Sequence, residues 1–147
     1  MTTLHVAFRY GDRRWFARLV VAVCGGDAAH CEVVTPLGGG QWRCISSSWM
    51  DGGPRAKHMA LPAEKWRIYA TSASWDSAEA WLDAQRTLAN GYGWWKLLRF
   101  VLPFLRPSWG GPICTEACAE ALDMPDSDAW NVRQLEAALA WQHNRFQ

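Results

Sequence analysis

Residues 30–47 read His-Cys-Glu-Val-Val-Thr-Pro-Leu-Gly-Gly-Gly-Gln-Trp-Arg-Cys-Ile-Ser-Ser. Two extended runs flank three consecutive glycines, the pattern of a β-hairpin. The first run, His30–Pro36, alternates: His30, Glu32 and Val34 fall on one face, Cys31, Val33 and Thr35 on the other. The second run is Gln41–Ser47. Upstream, Leu4–Arg9 alternates as a short strand and Gly11-Asp12 turns the chain. Trp15, Phe16, Leu19, Val20 and Val23 then recur at helical spacing until Gly25-Gly26 stops them. Downstream, Ser46–Pro54 reads as a polar loop, and Arg55–Leu61 and Trp66–Thr71 as two further strands. Ser74–Leu88 reads as a helix that Ser74 or Asp76 can cap. Tyr92–Leu102 reads as a nearly all-apolar helix ended by Pro103, with a central core helix as its expected role. Arg106–Pro112 reads as a loop, Ile113–Leu122 as a short helix and Asn131–Gln142 as a last amphipathic helix. A strand, a helix, several antiparallel strands and a helical second half make the chain α+β, a small antiparallel sheet packed against helices.

The 147 residues suit a single domain over 1–147 with a core of its own. Half are hydrophobic and a fifth charged, which excludes a disordered or solvating segment. The longest apolar stretch, Trp94–Leu105, is interrupted by Lys96, Arg99 and Pro103 and is too short to span a bilayer, so no transmembrane segment is expected. Met1–Arg9 lacks a basic start followed by an apolar run, so no secretory signal is expected either. Residues 1–110 carry 13 basic and 8 acidic side chains, and 111–147 carry 2 and 6. That mild asymmetry, without a basic run, does not indicate a nucleic-acid partner. Five cysteines, an odd number, predict free thiols in a reducing compartment and hence cytoplasmic synthesis. Eleven tryptophans imply a core or groove lined by large flat side chains.

The strongest candidate for chemistry is Cys114. It follows a loop broken by Gly110, Gly111 and Pro112 and opens a helix, whose unpaired N–H groups and dipole favour a thiolate. The alternative is a buried cysteine that packs as a small apolar residue. His30, at the start of its strand, is the best base, with Glu32 on the same face to hold the imidazole in one tautomer. The alternative is a surface histidine beside a solvated glutamate. His5 and His58 lie on strands without an evident partner, and His143 is expected to be exposed on the last helix. Cys114 and Cys118 share a helix face, but Cys24, Cys31, Cys44 and His30 match no zinc template, so no metal and no cofactor is expected. Cys118 is expected in the core. Tyr92–Leu105 could also serve as a membrane-surface or acyl-chain helix, and Ser46–Gly53 as a substrate loop.

The order of these pieces is more specific than any one of them. His30-Cys31-Glu32-Val33-Val34 is followed by Cys44-Ile45-Ser46-Ser47-Ser48 and Asp51-Gly52-Gly53-Pro54-Arg55. Then come Lys65-Trp66, Tyr92-Gly93-Trp94-Trp95 and Ile113-Cys114-Thr115-Glu116-Ala117-Cys118. This resembles the circularly permuted NlpC-like cysteine hydrolases of papain fold, which include the YiiX group, lecithin retinol acyltransferase relatives and many small proteins of tailed bacteriophages and prophages. In them the histidine strand precedes the cysteine helix. The resemblance runs from about Leu4 to Leu139. It implies a permuted papain-like domain with Cys114 as nucleophile, His30 as general base and Glu32 as orienting group. It also implies peptidoglycan peptide as substrate, and virion association with tail-tip or baseplate proteins as partners. Lipid ester cleavage, acyl transfer, or a structural tail component with a vestigial fold are the alternatives. Thr115 stands where the family has serine, Ala29 where it has the serine before histidine, and Gly93 where it has the aspartate of Tyr-Asp-Trp.

Overall fold

The computed structural model describes residues 2–88, 91–102, 104 and 110–145. Five strands form one antiparallel sheet: β1 (Thr3–Tyr10), β2 (Ala28–Gly38), β3 (Gln41–Ser48), β4 (Gly53–Ala60) and β5 (Trp66–Ser74), in the order β4-β3-β2-β1-β5. The α+β expectation is met. The expected hairpin forms, with Val33 opposite Ile45 and Val34 opposite Cys44. Gly38, Gly39 and Gly40 close it, all at positive φ, which side chains with a Cβ adopt at a cost.

The pleat sorts the side chains. Leu4, Val6 and Phe8 of β1, Cys31 and Val33 of β2, and Ile45 of β3 enter the main core. Helices α1 (Trp15–Cys24), α2 (Trp75–Leu88), α4 (Cys114–Ala121) and α5 (Val132–Arg145) contribute to that same core. Ala7, Val34, Cys44, Leu61 and Trp66 form a smaller cluster on the opposite face. Ser74 caps α2 by accepting the Asp76 N–H at 3.3 Å. The centre of the helical layer is α4. Its residues Cys114–Ala119 and Ala121 are all buried. Alanines and cysteines let its backbone lie close to β2 and β3. Trp81 Nε1 of α2 donates to Glu120 Oε2 at 2.5 Å and ties the two helices.

Five expectations need correction. Tyr92–Leu102 is not one helix: a 3-10 turn (Trp94–Leu97) leads into α3 (Leu98–Val101), a single turn. Nor is it a central core element, for Trp94, Trp95, Leu98 and Val101 are exposed while Leu97 and Phe100 pack inward. The loop between β3 and β4 is shorter than Ser46–Pro54, because both strands run on to Ser48 and Gly53. His30 is the third residue of β2, paired with Arg9 of β1, rather than its first. His143 is half-buried, its ring set edge-on to Tyr69. Most of the Arg106–Pro112 loop lies outside the described residues. No described helix is long and apolar enough to cross a membrane.

Candidate active site

Cys114 is the first residue of α4 and 6% exposed. The residue before it, Ile113, is extended, so the chain turns sharply into the helix. Three contacts hold this corner. Ser47 Oγ of β3 donates to the Pro112 carbonyl. The buried Glu116 carboxylate accepts the Ile113 N–H at 3.0 Å, one half of a capping box. It also receives Lys96 Nζ at 3.1 Å, which ties the 94–101 arm to α4. Lys96→Met is expected to lower stability by about 2 kcal/mol in urea unfolding, because it takes the cation from a buried carboxylate. An unchanged midpoint would show that this pair contributes nothing.

The arm is also held by a close approach of two glycines. A Cβ at Gly93 would sit 2.2 Å from the Gly111 carbonyl oxygen. Gly110, at φ +96°, carries the return of the loop past Gly93. The aspartate of the resembling family therefore has no room at position 93 in this chain.

The structure brings Cys114, His30 and Glu32 together. His30 Nε2 lies 3.2 Å from Glu32 Oε1. The contact is an ion pair when the imidazole is protonated. Glu32 is 1% exposed and is gripped from the far side by Arg55, whose two terminal nitrogens reach its oxygens at 2.7 and 3.0 Å. Arg55 Nε in turn donates to Asp51 Oδ2 at 2.9 Å, and Lys57 also pairs with Asp51.

These contacts set the protonation states. A hydrogen bond from Cys31 favours the Cys114 thiolate; burial opposes it, and the charge and hydrogen bond of His30 favour it again. The net pKa is well below the ordinary 9.0. Burial, then its neighbours Cys114 and Cys118, hold Cys31 well above that value, as befits the donor. Burial would lower His30, but the Cys114 charge and hydrogen bond, and then Glu32, push it up to about 9. Burial would raise Glu32, but His30 and then Arg55 bring it down to about 2. These shifts favour a thiolate–imidazolium pair backed by an ionised carboxylate.

A pH dependence of stability follows. Taken alone, His30 contributes stability present below its unfolded 6.5 and lost as pH rises through 9. Cys114 contributes the reverse, a gain that is complete only above 9.0. Between 6.5 and 9 the two offset each other, since folded and unfolded chains each hold one proton on the pair. Below 6.5 the unfolded chain holds one more, and stability falls as pH drops. Glu32 adds a further loss from 4.5 down through about 2. The unfolding free energy in urea is therefore expected to be flat across pH 6.5–9 and to decline steadily below it. A maximum near pH 4 would contradict the ion pair.

A groove of about 580 Å³ opens onto Cys114 and His30. Its walls are aromatic. Phe16, Trp49, Tyr92 and Trp94 pack tilted or edge-on, with ring centroids 5.1–6.5 Å apart. Trp15, Leu19, Met50, Leu98 and Val101 are exposed along its rim. The charged side chains that line it pair with one another: Asp12 with Arg9 and Arg14, Asp51 with Arg55 and Lys57, Glu32 with Arg55 and His30.

Cys118 is buried in the core and remains a free thiol, like the other four cysteines. Among the described residues no cluster of His, Cys, Asp or Glu is arranged to hold a metal. Sequence reading passes over Arg55 as a site residue. A cation in a strand does not disclose that its partner lies 23 residues away, two strands across. The aromatic wall is signalled by the tryptophan count alone, without positions. No protein-family model matches this chain, and none of the curated proteins matches it.

Proposed function

We propose that the protein is a thiol hydrolase that opens an amide or ester bond through an acyl-enzyme. The observation that carries this is Cys114 at a helix start with His30 beside Glu32, all three lining one groove. The Cys114 thiolate attacks the carbonyl carbon and forms a C–S bond. The oxyanion is held by first-turn N–H groups of α4, which have no intrahelical acceptor. His30 gives its proton to the leaving amine or alcohol as the C–N or C–O bond breaks. It then takes a proton from water, which attacks the thioester and releases the acid and the Cys114 thiolate. Glu32 keeps the imidazolium oriented and compensated.

The histidine strand ahead of the cysteine helix supports the permuted, NlpC-like version of the papain fold. On that reading the amide belongs to a peptidoglycan peptide, and the protein works at a phage tail. A second reading, a lipid ester or acyl transfer, is favoured by the apolar lining of the groove. A structural tail component with an inert site would make the same fold without the chemistry.

The test is the rate of iodoacetamide alkylation against pH, for the wild type and Cys114→Ser. One thiol should react fast well below the ~8.5 of an ordinary cysteine, and that reaction should vanish in Cys114→Ser. If every thiol reacts only at ordinary alkaline pH, the hydrolase reading falls and the structural one stands.

A further inference from the structure

We infer that Arg55 is a positioning residue of this site: it fixes the charge and orientation of Glu32, and through Glu32 the pairing of His30 with Cys114. The inference rests on the thiol hydrolase reading and adds to it a residue outside the Cys–His–Glu set.

The geometry is specific. Arg55 stands opposite Ser46 on β3, and its guanidinium crosses that strand to reach Glu32 on β2. Each terminal nitrogen donates to one of the two carboxylate oxygens, the fork arrangement that a lysine cannot reproduce. The third nitrogen is taken by Asp51. Arg55 and Glu32 are both largely buried, with 13% and 1% of their side chains exposed. Glu32 is faced by His30 on its own strand, by Arg55 of β4 and by the Cys44 thiol of β3, with Cys118 of α4 farther off. Arg55 is therefore the cation that keeps Glu32 ionised when His30 is neutral. Without it, a buried carboxylate beside a cysteine cluster takes up a proton readily. A neutral Glu32 no longer compensates the imidazolium, and the thiolate loses its counter-ion.

Asp51 belongs to the short loop that lines the groove, next to Trp49 and Met50. Arg55 thus joins the groove wall to the reacting pair by one unbroken chain of charges.

The test compares alkylation of Cys114 by iodoacetamide across pH 4–10 in the wild type, Arg55→Met and Arg55→Lys. In Arg55→Met the acid limb of the profile should move to higher pH by about one to two units, so the rate at pH 7 should fall about ten- to a hundredfold. Arg55→Lys should lie between. A merely structural arginine would leave the acid limb in place. A folded Arg55→Met with the wild-type profile overturns the inference. If Arg55→Met does not fold, Arg55→Lys decides: an acid limb identical to the wild type overturns it. A wild type without a fast thiol would instead remove the Cys–His reading itself, so the two failures are distinct.

Discussion

His30→Ala should slow alkylation of Cys114 at pH 6 by at least about a hundredfold, since each unit of raised thiol pKa removes tenfold of the thiolate. Two other influences on Cys114 survive the substitution, the hydrogen bond from Cys31 and the N-terminal end of α4. A helix dipole contributes about 0.3–1 kcal/mol, less than a factor of ten, and cannot replace a buried counter-charge. Burial would then act on the thiol without opposition from an imidazolium. The difference should narrow above pH 9, where His30 loses its proton in the wild type as well. A rate at pH 6 that is the same in both proteins would mean that the thiolate is made by the helix and Cys31 alone. Hydrolysis would then need another base.

Gly93→Ala should destabilise the fold by about 3 kcal/mol, because the new methyl group meets backbone rather than a movable side chain. The added carbon would lie 2.2 Å from the Gly111 carbonyl oxygen. Relief requires the 110–112 segment to move, and that segment leads directly into Cys114. For a chain of this size the loss corresponds to a fall in Tm of roughly 6–12 °C. Thiol reactivity should drop together with stability, since the helix start carries both. An alanine variant with wild-type Tm would show that the two glycine segments separate without cost.

The alternation of β1 and β2 and the three glycines between Leu37 and Gln41 made the hairpin and its two faces readable, including the shared face of His30 and Glu32. The small residues Ala28 and Ala29 carry no such signal. The strand nonetheless begins there, because Tyr10 of β1 offers Ala28 a ladder partner. The error over Tyr92–Leu102 has a clear cause. An apolar run with helix-forming residues reads as a helix, but the length of this one is decided by contacts outside it. Gly93 is held against Gly111 and Lys96 is anchored to Glu116, which leaves room for one 3-10 turn and one α turn. Cys114 could be singled out by position, since glycine and proline precede it and a helix follows. Arg55 could not, because its role exists only once β4 and β2 lie on either side of β3.

The aromatic wall also has an optical meaning. Trp49 stands 6.4 Å from Trp15 and 5.7 Å from Trp94, so three indoles at the groove couple their transitions and share excitation. Near-ultraviolet circular dichroism should carry a signature of this cluster. Anything that enters the groove changes the polarity around those rings and their mutual tilt. The molecule thus holds its own fluorescent indicator of occupancy, readable without a label and before any substrate is known.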